Sequence, residues 1–280
     1  MSNNNQNKGL RFLYGTVPGR VVLKLLTARF VSKAAGAYLS SPLSKPLIAP
    51  FMRKNNINPA EFDCSNFNSF NSCFTRKIKP ELRPIDADPN HLIAPCDGLL
   101  SAFEIKSGLV LSVKNSRYTV LDLLQNSELA GRYQNGYCLV FRLCVNHYHR
   151  YAFVESGVQT NNTFLPGVLH TVRPIATAAL PVFTKNCREY TVITTKNFGR
   201  LLQMEVGAML VGKIKNLYDA GPVRRGQEKG MFLYGGSTVI VLVEPGKINL
   251  QPGILQNTKA GVETPVLLGQ AIATASNNNI

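Results

Sequence analysis

A serine behind two glycines, an aspartate in front of a glycine and three histidines are the residues of this chain whose types suit nucleophilic and acid–base chemistry. Ser237 stands in "MFLYGGSTVIVLV" (231–243), where Gly235 and Gly236 interrupt a run that otherwise reads as a strand. Glycine inside a strand gives up packing and chain entropy, so it marks a bulge, a bend or a close approach of backbone. Asp97 stands in "APCDG", a turn where an aspartate commonly bonds its own backbone. His147 and His149 in "VNHYHR" are two apart, so in a strand they share one face and look into a common cleft or common solvent. His170 follows in "GVLHTV". Serine, imidazole and carboxylate make a base-activated nucleophile when a fold brings them together. No GxSxG elbow, HExxH helix or Gly-rich phosphate loop accompanies them. Taken singly, each residue also suits a structural role, and both readings stay open at this level.

The positioning elements read mostly as β. From about residue 91 come "HLIAP", "LLSAFEI", "GLVLSV", "GYCLVFRLCV", "YAFVE", "REYTVITT", "LLQMEVGAMLVGKI" and the serine-bearing run, with one short helix at "TVLDLLQN". Many short strands spaced by turn residues predict an α+β chain with a mostly antiparallel β core, sandwich- or barrel-like. Upstream, "VVLKLLTARFVSKAAGAYL" predicts basic amphipathic helix, and Pro42, Pro46, Pro50 and Pro59 end it in a joint. The expected organisation is a helical region over 1–60, a β-rich catalytic domain over 61–250 and a flexible tail over 251–280.

Charge points to a partner. Among 280 residues the net charge is +15, and residues 1–60 contain nine lysines or arginines and no acid. A basic, apolar helix suits the surface of an anionic bilayer, where each basic residue contributes about 1 kcal/mol. No run reaches the roughly 18 apolar residues of a membrane span. Nucleic acid competes as a partner for a basic chain, but no recognition motif is present and the apolar content favours lipid. The expectation is therefore a peripheral protein on the cytoplasmic face of the cell membrane that does not bind nucleic acid. The cysteines at 64, 73, 96, 138, 144 and 187 form no CxxC pair, and no cleavable signal peptide is recognised. Reduced structural thiols are expected, and no metal site.

Ordered strings carry more information than single residues. "FTRKIKPELRPI" (74–85), "APCDG" (94–98), "FRLCVNHYHRY" (141–151), "GVLHTVRPIA" (167–176), "NCREYTVI" (186–193), "QMEVGAMLVGKI" (203–214) and "EKGMFLYGGSTVIVL" (228–242) occur in this order. Together they closely resemble the phosphatidylserine decarboxylase proenzymes, from "LYGTVPGR" near the start to about residue 245. In that family the Gly-Ser bond of such a "GGST" string is the self-cleavage site. The resemblance implies cleavage between Gly236 and Ser237, a covalent pyruvoyl group derived from Ser237 as the cofactor, and decarboxylation of phosphatidylserine to phosphatidylethanolamine. Glycine before the serine removes a Cβ from the path of attack on its carbonyl. The products would be α and β chains held as a heterodimer that could dimerise further.

The resemblance also places Asp97 at the family's triad aspartate and His149 at its "YHR" histidine, with Ser237 as nucleophile. His147, His170, Gly235 and Thr238 are supporting candidates, and Arg188 and Lys213 are basic candidates for the headgroup. The chain departs from the family in two places. A second histidine three residues after the first is replaced by Ala152, and the acidic residue before "YHR" is replaced by His147. Either His149 acts as both base and proton donor, or the chain is a processing-deficient relative that only binds anionic phospholipid.

Overall fold

Alternation of side chains along the strands sorts the apolar residues of this protein into two cores on opposite faces of one large sheet. The computed structural model describes residues 12–13, 15–26, 29–63, 67–106, 109–113, 116–167, 182–207, 214–233 and 237–276. The first half of the β region contains β1 (His91–Ile93), β2 (Gly98–Glu104), β3 (Leu109–Val113), β4 (Ser116–Thr119), β5 (Tyr137–Leu143), β6 (Arg150–Ala152), β7 (Gly157–Gln159) and β8 (Thr163–Leu165). The second half contains β9 (Arg188–Thr195), β10 (Arg200–Val206), β11 (Ile214–Asn216), β12 (Gly221–Val223), β13 (Glu228–Phe232), β14 (Ser237–Val243), β15 (Ile248–Leu250), β16 (Thr264–Val266) and β17 (Ala271–Ala275).

The large sheet runs β12-β7-β9-β10-β14-β5-β2-β16, with β8 also paired to β9. Its pairings are antiparallel. The α+β, mostly antiparallel class is as expected. The sheet is open between the edges β12 and β16, so the path does not close into a barrel. β14, "STVIVLV", is buried at every position, because both faces of its sheet are covered. Val239, Val241 and Val243 join Leu139, Phe141 and Leu143 of β5 in one core. Ile240 and Leu242 join Cys138 and Val140 in the other. The first core is shared with the sheets β1-β17-β15 and β11-β13-β6, through Leu92, Ile248 and Ala273 and through Tyr151 and Phe232. The second is capped by the helices Val120–Leu124 and Val182–Lys185.

The expected helical N-terminal region is present as helices Val17–Leu26, Arg29–Ser40 and Ile48–Lys54, with a 3-10 segment Pro42–Leu47 between the last two. Its prolines start or sit within short helical turns instead of opening loops, because proline needs no N–H at the first helical positions. The region does not stand apart from the rest. Leu39 packs with Phe70, Phe74 and Leu233, and Met52 and Ile57 pack with Phe62, Tyr148, Ala152 and Leu268.

The flexible tail expected over 251–280 is corrected over 251–276, and residues 277–280 lie outside the described residues. The helix Ile254–Lys259 and strands β16 and β17 are built into the sheets, β16 pairs with β2, and Val266, Ile272 and Ala273 are buried. The segments are too short to show a period in sequence, and their order comes from the strands they join. The interrupted run 231–243 is likewise not one kinked strand. β13 belongs to the sheet β11-β13-β6 and β14 to the large sheet, so the chain changes sheets between Phe232 and Ser237.

Candidate active site

The change of sheet sets Ser237 at the first position of β14, opposite Leu143 at the end of β5. Five residues earlier, the Phe232 N–H donates to the His149 carbonyl at 3.0 Å. The connection 143–149 and the connection 232–237 are therefore tied to each other at both ends. Gly235 and Gly236 lie outside the described residues.

Ser237 is 1% exposed, and its Oγ has no hydrogen-bond partner among the described residues. Buried hydroxyls normally have one, so an orphan asks for a reason. Strand alternation turns Ser237 to the face of Val239 and Val241, the face on which Tyr151 and Phe232 pack. Thr238 takes the opposite face, and its Oγ1 is also buried without a partner among the described residues.

His149 is fully buried against Phe74, with ring centroids 4.0 Å apart. Its Nδ1 donates to the His147 carbonyl at 2.9 Å, since a carbonyl oxygen can only accept. The proton is thereby assigned to Nδ1, and Nε2 is left as a buried lone pair with no partner among the described residues. Burial pushes the imidazole pKa down to about 3, helped by the Arg76 charge and opposed by the bond to His147. The ring is neutral at physiological pH, as a general base must be.

The shared face expected for His147 and His149 is corrected. Residues 144–149 form a turn outside any strand, and the two rings have different surroundings. His147 Nδ1 accepts from the Cys144 N–H at 3.1 Å, and the ring lines a cavity of about 480 Å³ with Asp97, Arg83, Glu61, Tyr148 and Gln270. Desolvation lowers the His147 pKa, and the Asp97 charge opposes that.

Asp97 is brought to this cavity and not into hydrogen-bond contact with His149. Arg83 holds it in a two-pronged pair, Nε to Oδ1 at 2.8 Å and Nη2 to Oδ2 at 2.6 Å, and the Leu268 N–H donates to Oδ1 at 2.9 Å. Bonding to Asp97 raises the Arg83 pKa. The headgroup role expected for Arg188 is also corrected. Its buried guanidinium donates to the carbonyls of Leu123, Thr184, Asn186 and Asp122, which leaves it as an internal brace of the helical cap. His170 and Lys213 lie outside the described residues. Ala152 is 1% exposed among Met52, Phe62, Tyr148 and Leu268, so an apolar cluster occupies the second histidine's place.

Several site residues escaped the sequence reading although their strings were in view. Arg76 and Arg83 both lie in "FTRKIKPELRPI", and Phe74 opens it. Glu205 and Lys229 lie in "QMEVG" and "EKGM" and form a fully buried ion pair at 2.7 Å, joined by Asn216 and Gln203. Glu205 is opposite Val239 on β14, which sets the pair on the Ser237 face. Desolvation raises the Glu205 pKa, and Lys229 counters it. Among the described residues no group of three metal-ligating side chains gathers.

Comparison with known proteins agrees with the strings. The family model described as phosphatidylserine decarboxylase matches residues 70–274. The chain is 41% identical over 268 residues to "Phosphatidylserine decarboxylase proenzyme 2" of Clostridium acetobutylicum, covering 95% of this chain and 92% of the relative. It is 40% identical over 273 residues to a phosphatidylserine decarboxylase proenzyme of Clostridium botulinum, and 40% identical over 270 residues to one of Clostridium tetani. Those matches cover 95% of this chain, and 92% and 91% of the respective relatives.

Proposed function

The chain belongs to the phosphatidylserine decarboxylase family, and from that premise we propose that it cleaves itself between Gly236 and Ser237 and then decarboxylates phosphatidylserine at a membrane surface. The observation that carries the reading is the pair of buried, unpartnered atoms, Ser237 Oγ and His149 Nε2, on two connections bonded to each other at both ends.

His149 Nε2 takes the Ser237 hydroxyl proton as the oxygen attacks the Gly236 carbonyl carbon, and the peptide bond is exchanged for an ester. Removal of the Ser237 Cα proton then expels the Gly236 carboxylate and leaves dehydroalanine at 237, which water converts to a pyruvoyl group with loss of ammonia. That group supplies a ketone that accepts the electron pair left when CO2 departs. The orphaned Ser237 Oγ fits this precursor role, since no structural bond has to be broken before it reacts. With the proton on Nδ1 bound to a carbonyl, His149 has one nitrogen free to take a proton and return it. Asp97 acts on the site through Arg83 and the charge it presents to His147, since its oxygens are held by Arg83 and Leu268.

The N-terminal helices provide a membrane face. Val17, Val21 and Leu43 are 67%, 60% and 76% exposed in a segment rich in basic residues. No described helix is long and apolar enough to cross a membrane. The expected products are fragments of residues 1–236 and 237–280, the second blocked at its N-terminus, and CO2 release from carboxyl-labelled phosphatidylserine. Ser237→Ala should stay a single, inactive chain. Wild-type protein that remains uncut by intact-mass analysis and only binds anionic vesicles would establish the lipid-binding alternative instead.

A further inference from the structure

Two arginines tie the turn that carries His149 to the segment that follows the helix Phe70–Phe74. Arg76 is 1% exposed, and its Nη2 donates to the carbonyls of Asn146 at 2.9 Å and His147 at 3.0 Å. Its guanidinium lies over the Phe62 ring, 4.5 Å from the centroid. Arg150, next to His149 in the chain, returns the grip, with Nε donating to the Thr75 carbonyl at 2.7 Å and Nη1 to Glu228. Between these ties Phe74 covers the imidazole. The His147 carbonyl thus accepts twice, from Arg76 and from His149 Nδ1. A carbonyl held by a buried guanidinium cannot turn away from the ring it orients.

Resting on the reading of His149 as the base, we propose that Arg76 is its positioning residue, holding the Asn146–His147 carbonyls so that the imidazole keeps its proton on Nδ1 and offers Nε2 to Ser237. The charge of Arg76 acts in the same sense, because a cation beside the ring opposes its protonation. The charged and titratable groups about the ring, among the described residues, are Arg76 after the helix Phe70–Phe74, His147 on its own turn, and the Arg150–Glu228 pair from β6 and β13.

The tautomer can be read without any turnover. The full chain carrying Ser237→Ala, labelled with nitrogen-15, has four histidines, each assignable by a single His→Gln change. His149 should show the Nδ1–H form at neutral pH. Adding Arg76→Met should give mixed tautomers and move its titration toward the ordinary histidine range. In the Ser237 background, Arg76→Met should cleave about 10²-fold more slowly, the cost of a misplaced catalytic group, and its acid limb should move to higher pH. Arg76→Lys keeps the charge and should restore the pH profile but not the full rate. The proposal is overturned if folded Arg76→Met retains the wild-type tautomer and pH profile, or if Lys and Met lose rate equally with the profile unmoved. Should the methionine variant not fold, Arg76→Lys decides, and a wild-type rate and tautomer ratio overturn the two-carbonyl grip. Normal cleavage in His149→Ala, together with a His149 tautomer that still responds to Arg76 in the Ser237→Ala chain, would remove the base assignment and leave the clasp.

Discussion

In the proposed self-cleavage His149 and Ser237 act on each other although they stand 88 positions apart in the chain. His149→Ala should slow self-cleavage by about 10²- to 10⁴-fold, the range of a general acid–base group. His147→Ala should slow it less, since that ring faces the Asp97 cavity. A gel time course separates the two, and equal rates for His149→Ala and wild type would remove His149 from the mechanism. Burial of a neutral imidazole also sets a pH dependence of stability. The folded pKa of about 3 lies below the ordinary histidine value of 6.5, so the unfolded chain binds the extra proton. This contribution is fully present above pH about 6.5 and is lost as pH falls toward 3, at about 1.4 kcal/mol for each pH unit within that window. Urea unfolding at pH 7 and pH 4.5 should show the loss, and His149→Gln should show less of it.

β13 and β14 belong to different sheets, and the bond proposed to be cut lies between them in the chain, so the tie between the sheets should matter for cleavage. Glu205 on β10 and Lys229 on β13 form that tie, with Asn216 of β11 bonded to both and also accepting from Tyr151 Oη. Gly230 lets the strands of the sheet β11-β13-β6 close up on one another, since a Cβ there would collide with the Lys215 carbonyl and the Tyr151 hydroxyl. Removing one partner of a buried ion pair strands the other charge. Glu205→Gln or Lys229→Met should each cost about 3–5 kcal/mol, and the double variant less than the two together. Single variants within 1 kcal/mol of wild type in urea unfolding would show that the pair does not hold the sheets. Packing also sets the surroundings of Ala152, whose buried methyl β6 places in an apolar cluster.

The whole molecule divides its charge unevenly, with nine of its basic residues and no acids in residues 1–60. Binding to vesicles should therefore require anionic lipid and weaken as salt rises. The packing shows where a deletion can be made. Leu39 lies against Phe70 and Phe74, and Ser44 Oγ accepts from the Phe70 N–H at 2.8 Å, so removing those residues would uncover the support of His149. Deleting residues 1–26 instead should lower binding to anionic vesicles while cleavage continues. Equal sedimentation of the shortened and full chains with anionic and neutral vesicles would remove the electrostatic part of the reading.

Much of this was legible in one dimension. The apolar runs "YCLVFRL" and "STVIVLV", rich in β-branched and aromatic residues, specify strands, because strand propensity is a local property of the chain. The basic N-terminal helices and the glycine pair before Ser237 are equally local, each in a string of consecutive residues. What the tertiary structure alone decided is which groups meet. Asp97 pairs with Arg83 in place of a histidine, and Arg188 turns inward to carbonyls. His147 and His149 part because their segment is a turn and not a strand. The tail became sheet through partners contributed by β1, β2 and β15. Each depends on contacts between residues far apart in the chain, and pairings of that kind leave no period or spacing in the sequence.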